Sequence, residues 1–408
     1  MLDKKGIRQL AYIVKIEEIK PIPNYDRVEY ARVGGWWVIV RKDQFKVGDL
    51  AIYIEVDSKV PEKEPFMFLE KKHFKVKTQK MCKVISQGLL MHPNDFGWVY
   101  KESGQFAGDV PLIDTNPNGH GDYLVKGDFV TERLGITYAE AEDNIRKAPS
   151  ADKYKKMAQR NGKLFSKQPF RWLMKRTWGK KLLFLFFGKK RDKKSEWPAW
   201  VKKTDEERIQ NMTWILENKS PWIATEKIDG TSTTFTMKRN RFNKFDFFVC
   251  SRNVVFNTSD KECYYDTNVY LEMAQKYDIE LKMKAIMKKN PEFDWITIQG
   301  ETFGEGIQKR DYHLKEHQFR AFNYITSTDG RWNSVEASKY LSKLDIPWVP
   351  IIDENFILPD TVEELLNIST GKSDIDGDLR EGLVFRSADG VKSFKAVSNE
   401  FLLRYHNN

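Results

Sequence analysis

The chain has 408 residues, enough for two or three domains of about 150 residues each. It carries 68 Lys and Arg against 58 Asp and Glu, a formal charge of +10, and its 40% hydrophobic and 13% aromatic content excludes a wholly disordered chain. The longest dense apolar run, Leu182 to Phe187, falls far short of the roughly 18 residues of a membrane span. Met1-Leu2-Asp3-Lys4-Lys5 lacks the apolar core of a secretory leader, and Cys82, Cys250 and Cys263 are too few and too scattered for a disulfide framework or a zinc ribbon. These features lead us to expect a chain of a reducing, cytoplasmic compartment with no integral membrane association, and the basic balance suggests an anionic partner.

Up to about residue 140 the sequence consists of short β-type runs. Leu10 to Ile16, Val28 to Val33, Trp36 to Val40 and Leu50 to Val56 are separated by Pro21, Pro23 and Asn24, by Gly34-Gly35 and by Gly48-Asp49. Short strands with turn signals about every ten residues predict a small barrel, and an OB-type β-barrel of five strands fits 1–140. Phe74 to Leu90 continues the pattern.

The stretch 141–200 differs. Between Lys153 and Lys194 stand 16 Lys and Arg and one acid, Asp192, interleaved with Phe165, Phe170, Trp172, Trp178 and the Leu182 to Phe187 run. A linker or insertion packing an apolar face on a neighbour is one reading. A segment that neutralises phosphates and stacks on bases of a single strand is the other. A membrane-surface helix ranks behind both. From 201 to 408 the pattern is α+β: strands at Ser232 to Met237 and Phe245 to Ser251 around a polar turn, a helix over Tyr270 to Lys289, and strands at Trp295 to Gly300, Phe319 to Thr326, Gly382 to Arg386 and Ser393 to Val397. Glu336 to Leu344 and Val362 to Leu366 read as short helices.

The chemistry-bearing residues recur in order along this last stretch. Thr225-Glu226-Lys227-Ile228-Asp229-Gly230 is followed by Ser251-Arg252-Asn253, Gln299-Gly300-Glu301, Phe319-Arg320-Ala321-Phe322, Glu381-Gly382-Leu383-Val384-Phe385-Arg386 and Ser393-Phe394-Lys395. A lone Lys before an Asp-Gly turn is usually a surface turn, a strand-end carboxylate is usually solvated, and a strand Phe is usually core. Six in this order resemble the motifs of covalent nucleotidyltransferases, the superfamily of ATP-dependent ligases and RNA capping enzymes. His313 and His317 lack a third ligand for zinc, and Gly300, Gly304 and Gly306 lack the Lys-Ser/Thr of a phosphate loop.

Only a few residues follow Lys395, too few for a trailing barrel, so the candidate OB domain lies in front. That order resembles the RNA ligases of the Deinococcus and Naegleria type. Gln44 to Leu50, Ile54 to Ser58, Ile85 to Leu89, Val130 to Ile136 and Lys203 to Asn211 are similar to segments of that family. The resemblance implies an OB domain over 1–140 and an α+β nucleotidyltransferase domain with antiparallel sheets (an ATP-grasp-like ligase fold) over 201–408; the basic linker or insertion over 141–200 matches nothing in that family's pattern.

The resemblance further implies that Lys227 attacks the α-phosphorus of ATP and that Glu381 holds Mg²⁺ or Mn²⁺ through water. Glu301 and Arg252 would contact ribose or phosphates, Phe322 would stack on adenine, Lys395 would bind the α-phosphate, and Arg208 and Glu226 would face the nucleotide. Asp229 would be essential in the same pocket. A free lysine has a pKa of about 10.4 and is protonated in water, so burial and neighbouring cations, Lys395 among them, are expected to lower that of Lys227. The implied enzyme is a monomer in a bacterial or virus-infected cell, sealing RNA 3′-OH and 5′-phosphate ends in nicked duplexes. A nick-sealing DNA ligase and a nucleic-acid-binding protein with a degenerate ligase domain are the alternatives. The superfamily often has two lysines separated by one residue in its last motif; here Ser393 stands first, with Lys392 beside it.

Overall fold

The computed structural model describes residues 8–100, 111–114, 123–138, 167–174, 176, 179, 182, 183, 197–252, 254–256 and 268–405. Most of the basic stretch between Lys153 and Lys194 lies outside them, as do Asn253 and Cys263; within it a short helix spans Gln168–Met174. The chain divides into two compact units, one made of 1–140, 204–231 and 299–408, the other of 141–203 and 232–298.

In the first unit the short β-runs form strands as the sequence predicts. Ala11–Lys15, Leu50–Ile54 and Leu89–Met91 build one antiparallel sheet, and Glu18–Ile22, Tyr25–Val33 and Trp36–Arg41 a second. The OB-fold is thus assembled from separate three-stranded ladders. Leu50–Ile54 is apolar throughout because both of its faces are buried: Leu50, Ile52 and Ile54 join a core with Ala11, Ile13 and Trp98, while Ala51 and Tyr53 join another with Trp36, Val38 and Val40. Trp36–Arg41 instead alternates, burying Trp36, Val38 and Val40 and leaving Trp37 and Ile39 part-exposed. Gly35 lies against the backbone of Gln210, where a Cβ would meet Gln210 Cα at 2.6 Å. Its N–H donates to Gln210 O at 3.0 Å, so the Gly-Gly turn serves a close backbone approach.

The same unit holds a five-stranded sheet in the order Glu207–Arg208, Ser393–Val397, Gly382–Ser387, Trp222–Lys227 and Ile351–Phe356. Paired residues share a face and successive residues alternate. Trp222, Ala224, Leu383, Phe385, Phe394 and Ala396 therefore form one apolar face, closed by Leu365 and Leu366 of the helix Val362–Ser369. Lys227, Gly382, Lys395 and Arg208 lie on the opposite face.

In the second unit the strands Thr231–Arg239 and Phe245–Cys250 pair antiparallel from Thr234↔Cys250 to Arg239↔Phe245 and close on the turn 240–244. Thr231 itself falls in the first unit. The single helix expected over Tyr270 to Lys289 is two, Val269–Lys276 and Ile279–Lys289, because Asp278 adopts a left-handed conformation with φ 49°. Met273 in the first helix and Ile279 in the second are both fully buried.

Phe394 stacks on Phe385 with ring centroids 5.0 Å apart and meets Trp222 edge-on at 5.2 Å. Phe394→Ala is expected to cost about 3–5 kcal/mol in urea unfolding, the range for a fully buried phenylalanine. A loss under about 1 kcal/mol would contradict this packing.

Candidate active site

The charged face of the five-stranded sheet is built by strand register. Lys227 ends its strand opposite Gly382, and Gly382 lies opposite Val397. A Cβ on Gly382 would sit 2.2 Å from Ala396 O, so only glycine fits there. The residue before it, Glu381, is 7% exposed and places its carboxylate 2.7 Å from Lys227 Nζ.

The turn after Lys227 is held by the segment that follows Glu301. Asp229 N–H donates to Tyr312 Oη at 2.7 Å, and Gln308 Nε2 donates to Gly230 O at 3.0 Å. A Cβ on Gly230 would come within 2.4 Å of Thr302 O and 2.9 Å of Glu301 Cγ. Asp-Gly is thus required here because the strand carrying Glu301 runs against the turn. Arg310 stacks over Tyr312 at 3.8 Å and pairs with Asp376 at 2.6 Å.

A second cluster lies alongside. Arg208 and Lys395 are register partners on parallel strands. Lys395 Nζ donates to Asp205 at 3.2 Å, Asp205 also receives Arg8 at 3.3 Å, and Arg8 reaches Glu55 at 3.3 Å. Arg208 Nη2 pairs with Asp57 at 3.1 Å, while its Nε and Nη1 are buried with no hydrogen-bond partner among the described residues. Arg386 donates to Thr225 Oγ1 at 3.1 Å, lies 3.4 Å from Glu206, and stands over the Phe322 ring at 5.7 Å.

Lys227, Asp229, Glu301 and Glu381 therefore come together, with Lys395 and Arg208 on the same sheet face. Phe322 lies beneath Arg386. Glu226 alternates away from Lys227, accepting from Ser373 Oγ at 2.5 Å and Asp374 N–H at 2.9 Å. Arg252 follows Phe245–Cys250 in the second unit. Lys392 is exposed, out of phase with its strand and over the Trp214 ring at 5.7 Å. Ser393 faces the site, donating to Glu206 and accepting from Arg331 at 3.3 Å. Sequence reasoning missed Tyr312, Arg310 and Asp376. It also missed Asp205, although the acid stands inside the Lys203 to Asn211 segment.

The electrostatics reverse one expectation. Burial opposes the charge on Lys227, but Glu381 and Glu301 outweigh it, and the pKa lies above the ordinary lysine value rather than below it. Lys395 is the lysine that is depressed, to about 8, because burial and the nearby Arg8, Arg208 and Lys227 outweigh Asp205. Burial and the charge of Glu381 push Asp229 up to about 8, against the pull of Lys227 and Arg310.

With this geometry in place, the class is defined by an OB-fold domain ahead of an α+β ligase domain. An OB-fold domain model matches residues 10–93, and the RNA ligase family model matches 220–397. Naegleria gruberi RNA ligase with PPi superposes with a TM-score of 0.71 at 25% identity, covering 98% of this chain and 100% of that one. A variant of the Naegleria enzyme with ATP and Mn gives the same values, and another with AMP and Mn gives 0.70 at 26% identity with the same coverage. No curated protein matches by sequence. The chain thus carries an OB-fold domain ahead of a segment, 220–397, that matches the RNA ligase family.

The Lys395 shift yields a test. The unfolded lysine, at an ordinary 10.5, binds more protons than the folded one between pH 8 and 10.5. The penalty of burying the charge is fully present below about pH 8 and is relieved as pH rises through that window. The unfolding free energy of the parent relative to Lys395→Met is expected to rise across it, on the order of 3 kcal/mol at most. A difference that stays flat from pH 7 to 10.5 would contradict the assignment.

Proposed function

We propose that the chain is an ATP-dependent RNA ligase that joins a 3′-OH to a 5′-phosphate through a lysyl-AMP intermediate on Lys227. The observation that carries this reading is the buried Lys227–Glu381 pair at 2.7 Å within the segment matched by the RNA ligase family. The donor set fits a nucleotide triphosphate. Arg208 has buried N–H groups without acceptors among the described residues, and Lys395 is its neighbour in register. Glu381 and Glu301 are hard oxygen donors of the kind that bind Mg²⁺ or Mn²⁺. A divalent ion held there would neutralise phosphate charge and offset the carboxylate field that keeps Lys227 protonated.

In the first step Lys227 Nζ, having lost a proton, forms a bond to the α-phosphorus of ATP as the bond to the pyrophosphate oxygen breaks. In the second an oxygen of the RNA 5′-phosphate displaces Nζ, giving an RNA-adenylate linked through pyrophosphate. In the third the 3′-hydroxyl attacks the 5′-phosphorus and AMP leaves. Lys395 and Arg208 stabilise the phosphoryl charge, and the Phe322 ring offers a face for adenine. Asp229, fixed through its own N–H by Tyr312, holds the lysine turn. Nicked duplexes with RNA on the 3′-OH side are the proposed substrate.

Lys227→Ala is expected to abolish label transfer from α-labelled ATP to the protein, and an alanine variant that still becomes labelled would overturn the nucleophile. In a panel of nicked duplexes, exchanging the 3′-OH strand from RNA to DNA is expected to lower sealing by at least about tenfold, roughly 1.4 kcal/mol of transition-state discrimination. Equal sealing of the two would return the DNA ligase reading.

A further inference from the structure

We infer that the hairpin tip of the second unit, Lys238 to Lys244, is a docking surface for the RNA substrate, with Phe242 stacking on a base and the surrounding cations neutralising phosphates. This rests on the ligase reading but concerns a site in the other compact unit. Phe242 is 69% exposed at the apex of the turn between Thr231–Arg239 and Phe245–Cys250. A single exposed aromatic is ordinary on a protein surface, so the argument rests on what surrounds it.

Within seven residues stand Lys238, Arg239, Arg241 and Lys244. Three of them already lie over rings: Arg241 over Phe242 at 4.9 Å, Arg239 over Phe245 at 5.1 Å, and Lys238 over Trp200 at 4.4 Å. Trp200 is anchored in turn by its Nε1 donating to Thr236 Oγ1 at 3.0 Å. Interleaved cations and rings suit a strand of nucleotides, in which phosphates alternate with π-faces.

The tip is also rigid, which lowers the entropic cost of presenting the ring. Asn240 Oδ1 accepts from the N–H groups of Phe242 and Lys244, both at 3.0 Å, and Asn240 Nδ2 donates to Asp246 at 3.1 Å. Arg239 ties the turn to the body by donating to Asn243 Oδ1 at 2.8 Å and to Met287 O at 2.9 Å. The ring is therefore held outward by a polar frame. Asn240 and Asn243 beside it argue against insertion into a lipid surface.

Charge distribution points to the same partner. The hairpin 238–244 itself carries four Lys and Arg and no Asp or Glu, a net of +4 in seven residues. A polyanion is the partner that such a concentration of charge favours.

The test uses the full chain, with fluorescence anisotropy of a labelled nicked RNA duplex and of a single-stranded RNA over a salt series. Label transfer from α-labelled ATP serves as a separate readout of the fold and of Lys227. Phe242→Ala is expected to weaken RNA binding between about 5- and 100-fold, as for loss of a base–ring stack, with Phe242→Trp restoring it. The double variant Arg241→Glu, Lys244→Glu is expected to reduce the slope of log affinity against log salt by about 1 to 2. Label transfer should match the parent in all three. RNA affinity and salt slope unchanged in the alanine and double variants, with label transfer intact, would overturn the inference and leave the tip as bare surface or a contact for another protein. A parent chain that takes no label would instead refute the ligase reading.

Discussion

A lysine ammonium and a buried carboxylate held 2.7 Å apart, one ending its strand and the other just ahead of the neighbouring strand, set the terms for the rest of the site. Strand register brings them near: Lys227 ends its strand opposite Gly382, the residue that follows Glu381, and the carboxylate ahead of that strand reaches the ammonium. The pair keeps Lys227 charged in the free chain, and a charged amine is no nucleophile. In the proposed reaction, activation would then require something that competes for the carboxylates. A divalent cation at Glu381 and Glu301 would do so, which links the metal requirement of the proposed reaction to the protonation of its nucleophile.

The same logic extends across the sheet. Lys395 and Arg208 sit side by side, and each is paired with an acid, Asp205 or Asp57. Two buried cations near Lys227 would otherwise repel one another, and the depression of Lys395 to about 8 shows that Asp205 only partly compensates. Glu55 and Asp57, from the segment after Leu50–Ile54, and Arg8, at the start of the described chain, complete this network. Residues of the OB-fold segment are in this way part of the electrostatic frame of the site, within one compact unit.

Much of this was legible in sequence because it follows from local pattern. The short runs up to residue 91 form strands where the sequence predicts them, and the two-sided burial of Leu50–Ile54 emerges only with the two cores packed on it. The order of Lys227, Glu301, Glu381 and Lys395 carries the resemblance to RNA ligases, the family whose model matches 220–397. Period-two alternation also puts Ser393 and Lys395 on one face, with Lys392 exposed just ahead of the strand. What the sequence could not show depends on pairings between distant residues. Tyr312 meets Asp229 across 83 positions and Lys395 meets Asp205 across 190, and neither spacing has a local signature. The sign of the Lys227 shift was misjudged for the same reason, because it depends on how close Glu381 and Glu301 come relative to Lys395. The helix break falls at Asp278, in left-handed backbone with φ 49°, where the tolerance of Asp for that conformation is the one local signal.

The central claim is that Glu381 holds Lys227 protonated until the carboxylate is engaged elsewhere. Titration of the isotopically labelled Lys227 ε-amine by NMR in the free chain, compared with Glu381→Gln, tests it directly. The parent lysine should titrate above the ordinary lysine value, and the glutamine variant should bring it down, because the attraction is lost while the burial remains. A parent Lys227 titrating below the ordinary value, or one that Glu381→Gln leaves unmoved, would contradict the account.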